Sequence, residues 1–345
     1  MFFASDNSGP VHPQIMGALA KANEGYAMPY GADPIMDEVK AQIRGIFEAP
    51  DAAVYLVATG TAANSIALAS LVDPYGTVFC SPVAHIHEDE CNSPEFYSGG
   101  AKLTLAPGGD KMDAAGLRDT IDNEERRGVH GPQRGPVSIT QVTERGGVYD
   151  LGHLRDLCSV AKEFGVPVHL DGARFANAQT ALNCSAAEMT WKAGVDAVSF
   201  GATKNGAMGV EAVVLFDPQK AWEFELRRKR GGHLFSKHRY LSAQMHGYLS
   251  NDVWLDNARA ANAAATELAA GLRAKGAEFL HPVEANMIFC AFPRAIHQKL
   301  HEAGAKYYVW TGSLEGDDPD ELLGARLVCD WSVTSDAITR FLSHF

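Results

Sequence analysis

Two apolar patterns take turns along the chain. Short apolar runs at 52–58, 77–81, 102–105, 137–143, 167–170, 197–200 and 211–216 read as strands. Segments at 14–23, 34–47, 62–71, 113–126 and 151–164 read as helices. Asp33 ahead of Pro34 suits an N-cap with proline in the first turn, and Gly165 suits the stop of the 151–164 helix. Strands alternating with helices predict an α/β fold with a mostly parallel sheet covered on both faces. Ligands of such a sheet belong at the carboxyl ends of its strands.

The pattern shifts after Phe216. Residues 221–229 are strongly charged, and Arg227-Arg228-Lys229-Arg230 is a basic cluster. The Ala-rich stretch 258–270 predicts a long helix, since alanine is the best helix former. Strands are expected at 287–292, 307–310 and 325–329, and helices at 298–303 and 335–345. The expected division is a large domain, 1–249, and a smaller α+β domain, 250–345.

Composition narrows the function classes. Of 345 residues 46% are hydrophobic and 21% charged, which describes an ordinary globular chain rather than a disordered one. The net charge of −12 argues against nucleic acid or an anionic membrane as main partner. No apolar run nears the roughly 20 residues that span a bilayer. The start, Met1 to Asn7, has no basic segment of the secretory kind. Six cysteines occur without a CxxC pair, so reduced thiols in a cytoplasmic protein are expected, and no zinc site.

Four segments at expected strand ends carry chemistry. Thr59-Gly60-Thr61 opens a helix, whose free N–H groups suit a phosphate. Alone it reads more readily as an ordinary capped turn. Asp171 follows an apolar strand and suits a cationic ring nitrogen, and Arg174 suits a carboxylate. Alone these two could be a surface ion pair or a cap. Lys204 lies among small residues, which leaves room for a ligand beside its amine, although most lysines are simply solvated. His85-Ile86-His87-Glu88-Asp89-Glu90 tempts a metal reading, but the spacing matches no strong ligand set. His85 in the pocket, with the three acids partly a solvated helix start, is the simpler reading. Taken together, a phosphate-binding turn, an Asp and a Lys some thirty residues later are the equipment for pyridoxal 5'-phosphate.

Here the chain resembles the fold-type I pyridoxal-phosphate enzymes, and more closely the L-threonine aldolases of the β-eliminating lyase family. The resemblance runs nearly end to end. It rests on Ser5-Asp6, Tyr30-Gly31-Ala32-Asp33-Pro34, Gly60-Thr61-Ala62-Ala63-Asn64, Ala84-His85-Ile86, His169-Leu170-Asp171-Gly172-Ala173-Arg174, Lys204 and Arg326-Leu327-Val328. It implies a fold-type I large domain and a small C-terminal domain. It makes Lys204 the lysine that condenses with the cofactor aldehyde, and Asp171 the partner of the pyridinium nitrogen. Gly60 and Thr61 hold the phosphate. His85 stacks on the ring and is the leading base at the substrate hydroxyl. Ser5, Arg174 and Arg326 bind the substrate carboxylate. Tyr30 and the 230–239 loop complete a neighbouring subunit's site in a tetramer built from dimers, and His130 matches a second active-site histidine.

The sequence departs from the better-known pattern in three places. Thr203-Lys204-Asn205 stands where Ser-Lys-Gly is common. Gly231-Gly232-His233 replaces a glycine triplet, which leaves open which of Lys229, Lys237 or Arg239 reaches the phosphate. Thr143-Glu144-Arg145 replaces a His-Asn turn. The implied reaction is retro-aldol cleavage of L-threonine, L-allo-threonine and related β-hydroxy-α-amino acids such as phenylserine, giving glycine and an aldehyde. β-Elimination or transamination on the same scaffold is the alternative.

Overall fold

Seven apolar runs join in one sheet in the computed structural model, which describes residues 1–345. The strands are β1 (Ala53–Val57), β2 (Gly76–Cys80), β3 (Lys102–Leu105), β4 (Gln133–Thr140), β5 (Val168–Gly172), β6 (Ala197–Gly201) and β7 (Glu211–Leu215). Their spatial order is β1-β7-β6-β5-β4-β2-β3. β7 runs antiparallel to both neighbours, and the other pairs are parallel. Ala212 and Val214 face the main core, while Val213 and Leu215 face a second cluster with Ala63 and Ile66. Burial on both faces explains why these strands read as continuous apolar runs. The architecture is the expected mostly parallel α/β one.

Local chemistry sets the boundaries. The helix Gly60–Leu71 starts two residues earlier than its apolar pattern, because the Thr59 hydroxyl accepts from the Ala62 N–H at 3.2 Å and caps it. β4 starts four residues early, at the polar pair Gln133-Arg134, which an apolar count passes over. The helices Phe175–Leu182 and Arg239–Leu249 are not among those expected from the sequence pattern. Residues 241–245 of the latter are all buried, so no polar stripe marks a face.

A second sheet comprises β8 (Glu278–Phe279), β9 (Met287–Pro293), β10 (Tyr308–Thr311) and β11 (Leu322–Val328), ordered β10-β11-β9-β8 and antiparallel throughout. The Ala-rich helix, Val253–Ala274, serves both layers. Trp254 and Ala258 pack in the main core, and Ala265, Leu268 and Leu272 pack with Ile288, Phe292 and Leu327 in another. The chain's first residues reach this second layer, where Phe2 bridges Lys306 and Phe3 is buried beside Phe341. Residues 4–7 are thereby delivered to the seam between the sheets. No helix is long and apolar enough to cross a membrane.

Gly201 ends β6 where the backbone of β5 comes very close. A Cβ there would lie 2.5 Å from the Ala173 carbonyl oxygen and 2.8 Å from that of Gly172. Backbone cannot step aside as a side chain can. Gly201→Ala is expected to cost at least about 1–3 kcal/mol, read as a lower Tm and a lower denaturant midpoint.

Candidate active site

The carboxyl ends of β2, β4, β5 and β6 open toward the second sheet. Between the layers lies a cleft of about 310 Å³, lined by Ser5, His85, Glu144, Arg174, Lys204 and Arg326 among others. A larger groove of about 620 Å³ lies beside Lys162, Trp191 and Asp196, at the amino ends of β5 and β6. It carries none of the sequence-predicted residues. The smaller cleft, at the strand ends where α/β sheets bind ligands, is the candidate site.

Lys204 occupies a short turn, Thr203–Asn205, directly after β6. The turn is pinned from both sides. The Ala202 N–H donates to Glu211 Oε2 at 2.7 Å, and Asn205 Nδ2 donates to the Trp254 carbonyl at 2.7 Å and to the Tyr248 hydroxyl at 2.8 Å. Burial pushes the Glu211 carboxyl up to about 7, against the hydrogen bonds it accepts. Asp171 sits near the carboxyl end of β5, where Oδ1 accepts from the Ala173 N–H at 3.0 Å and Oδ2 from Asn64 Nδ2 at 2.9 Å. Two residues back, on the same face, His169 lies between the Ser138 and Ser199 hydroxyls at 3.0 and 2.9 Å. Burial pulls its imidazole down to about 4, so it is neutral beneath Asp171.

Gly60 and Thr61 start their helix on the same side of the sheet, and their N–H groups have no protein acceptor. A Cβ on Gly60 would meet nothing within 4 Å, so open space adjoins the positive end of the helix. A primary amine, a buried carboxylate and an anion-seeking helix start therefore serve one region. That set fits a phosphorylated pyridine aldehyde.

His85 begins a short turn after β2, and its Nδ1 lies 3.0 Å from Glu90 Oε1. The sequence reading of three partly solvated acids needs correction here. Glu88 and Asp89 are exposed, but Glu90 turns inward and its side chain is fully buried. The bond to Glu90 is the largest influence on His85 and raises its pKa against the cost of burial.

Arg174 is buried at the head of the helix Phe175–Leu182. Its Nε and Nη2 donate to Asp6 Oδ2 and Oδ1 at 2.6 and 3.0 Å, and Asn286 Nδ2 also donates to Asp6 at 3.1 Å. In the sequence Asp6 has no signal beyond standing next to Ser5. Arg326, on β11, donates from Nη1 to the Ala4 carbonyl at 3.3 Å. Burial and the nearby Arg174 cation both depress its pKa. Two guanidinium groups this close, lining one cleft, attract an anion.

Gly60, Thr61 and Asp171 do not line the cleft itself but lie at the same strand ends, whereas Tyr30 and His130 lie away from it. Tyr30 is exposed with a φ of 60°, and the Lys229 ammonium lies 5.0 Å from its ring centroid. His130 is exposed at the end of the turn Glu125–His130, just ahead of β4 and so at the opposite end of that strand. Ser5 does line the cleft, with its hydroxyl accepting from the Asn7 N–H at 3.1 Å. Asn64, Glu90 and Asn286 are site residues that the sequence reading gave no role. Asn64 stood in a quoted motif, but nothing in its spacing announced a partner 107 positions away.

Fold and site together define a pyridoxal-phosphate enzyme of fold type I. The chain belongs to the beta-eliminating lyase family, whose model matches residues 3–294. It is 40% identical over 344 residues to the low specificity L-threonine aldolase of Pseudomonas sp., covering 99% of this chain and 95% of that one. The protein of that name from Saccharomyces cerevisiae is 25% identical over 334 residues, covering 95% and 81%. Among solved structures, a threonine aldolase of Leishmania major superposes with a TM-score of 0.92 at 26% identity, covering 99% of this chain and 97% of its own. A serine palmitoyltransferase of Sphingomonas wittichii shares the fold, with a TM-score of 0.71 at 15% identity, covering 100% and 86%.

Proposed function

We propose that this enzyme cleaves the Cα–Cβ bond of L-threonine, L-allo-threonine and related β-hydroxy-α-amino acids, phenylserine among them, releasing glycine and an aldehyde. The observation that carries this reading is the cleft itself. One imidazole, three guanidinium groups and the Lys204 amine line the same space of about 310 Å³. Pyridoxal phosphate, when bound, supplies the electron sink for the pair left at Cα. Lys204 would hold its aldehyde carbon, Asp171 its ring nitrogen, and Gly60 and Thr61 its phosphate. Ser5, Arg174 and Arg326 would grip the substrate carboxylate and so orient Cα. His85 would take the β-hydroxyl proton through its free ring nitrogen. General-base help of this kind is worth about 10²–10⁴-fold.

The reading extends to a cytoplasmic homotetramer built from dimers, and to a division of the chain near residue 250. The surface around Tyr30 supports the dimer. The Tyr30 N–H donates to the Ser236 carbonyl at 3.1 Å, and Arg239 Nη1 donates to the Gly25 carbonyl at 3.0 Å. These bonds assemble exposed Tyr26, Met28, Tyr30 and Phe235 around a basic stretch, a face suited to a second copy. A substrate role for Tyr30 would then be played in a neighbouring copy's cleft.

The test is a product assay on purified enzyme with added pyridoxal phosphate. L-Threonine and L-allo-threonine should each give aldehyde, followed by coupled reduction, and an equal amount of glycine. Pyruvate and ammonia instead would move the reaction to β-elimination.

A further inference from the structure

Glu90 is buried where the surrounding acids are exposed, and its position is built rather than incidental. Oε1 accepts from Asn64 Nδ2 and faces His85 Nδ1, each at 3.0 Å, and Oε2 accepts from the Ser65 hydroxyl at 3.4 Å. The next two residues, Cys91 and Asn92, have φ of 49° and 58°. Two successive non-glycine residues in the left-handed region are costly, and they make the sharp reversal that turns Glu90 inward. Asn64 Nδ2 also donates to Asp171 Oδ2 at 2.9 Å. Its amide orientation is fixed, since a flip would aim the carbonyl oxygen at two carboxylates. A hydrogen-bonded chain thus runs from His85 through Glu90 and Asn64 to Asp171.

We propose that Glu90 is the positioning residue of His85, holding the imidazole as its Nδ1–H tautomer so that Nε2 is the nitrogen free to face the cleft. Burial raises the Glu90 carboxyl, and the hydrogen bonds from His85 and Asn64 oppose that rise; as a carboxylate it only accepts, so the proton between the two groups belongs to Nδ1. Asn64 then ties this pair to Asp171, so that the base and the partner of the ring nitrogen share one scaffold. The substrate hydroxyl as the target of Nε2 rests on the aldol reading above. The tautomer does not.

Several charges bear on His85. Asp171 from β5 and Glu144 from the loop after β4 raise its pKa with Glu90, and Lys204 after β6 lowers it. Glu88 and Asp89 on its own turn, and Arg145, Arg174, Arg326 and Tyr308 across the cleft, complete the set. The hydrogen bond to Glu90 is the strongest of the raising influences, and an uncharged acceptor in place of the carboxylate weakens it.

The test uses the holoenzyme and two variants. Glu90→Gln keeps the shape and the acceptor but loses the charge, and Glu90→Ala loses both. Histidine labelled with ¹⁵N, with His85→Asn to assign the signal, reports tautomer and titration directly. The wild type should show Nδ1–H at His85. Glu90→Gln should titrate at lower pH, and Glu90→Ala should show mixed tautomers. In the cleavage assay, Glu90→Gln should lower kcat at least about tenfold, within what general-base assistance supplies, and leave KM nearly unchanged. The acid limb of its kcat profile should move to lower pH. A folded, cofactor-loaded Glu90→Gln enzyme with the wild-type titration and pH profile would overturn the proposal, whether or not Glu90→Ala folds. If the wild type releases no aldehyde, the aldol reading fails, and the tautomer measurement still decides the role of Glu90.

Discussion

Lys204→Ala is expected to abolish the visible absorbance of bound pyridoxal phosphate and to lower kcat by at least about 10³-fold, as loss of a covalent catalytic group does. The fold should survive, because what holds the turn is not the lysine. The Ala202 N–H on Glu211, and Asn205 on Tyr248 and Trp254, involve no Lys204 atom. Thermal unfolding of the variant without cofactor should match that of the wild type without cofactor. Borohydride reduction before digestion adds a second measurement. In the wild type the added cofactor mass should stay on the peptide containing Lys204, and in the variant no peptide should carry it. A variant that keeps both the visible band and the activity would move the covalent role to another lysine.

The sheet and its helices were largely legible because long strands buried on both faces write their own pattern. The runs at 197–200 and 211–216 became β6 and β7 with ends shifted by a single residue. In Arg239–Leu249 eight of eleven residues are buried, the polar Ser242 and Gln244 among them, so apolar and polar positions do not separate into faces. At the site, the residues carried by motifs were brought to one side of the sheet, Tyr30 excepted. Lys204, His85, Arg174 and Arg326 share a cleft, and Asp171 joins through Asn64 and Glu90. Their partners were not legible. Glu90 stands in a run of three acids, and composition alone favours exposure for all three. Its inward turn depends on the backbone at Cys91 and Asn92 and on an amide one helix away. Asp6 meets Arg174 across 168 positions, a distance over which pattern carries no information.

Asp6→Asn is expected to destabilise the fold by about 3–5 kcal/mol, the usual result of leaving one partner of a buried ion pair without its counter-charge. Both side chains are almost wholly buried, and the pair is bidentate. Burial alone would raise the Asp6 carboxyl, but Arg174, aided by Lys204 and Asn286, outweighs it and holds the group below its ordinary value of 3.8. A depressed folded pKa means that the carboxylate stabilises the protein fully above its unfolded value of about 3.9. That contribution is lost as pH falls through the lower, folded value. Urea unfolding should therefore show a wide gap between wild type and Asp6→Asn at pH 7, closing below about pH 4. The double variant Asp6→Asn, Arg174→Gln separates structure from chemistry. With both charges gone, no ion is left buried alone, and much of the stability should return. Activity should not, because the guanidinium proposed to grip the substrate carboxylate is absent, and KM for L-threonine should rise far above the wild-type value. Recovery of stability and KM together would show that Arg174 serves the fold alone and leave Arg326 and Ser5 as the carboxylate site.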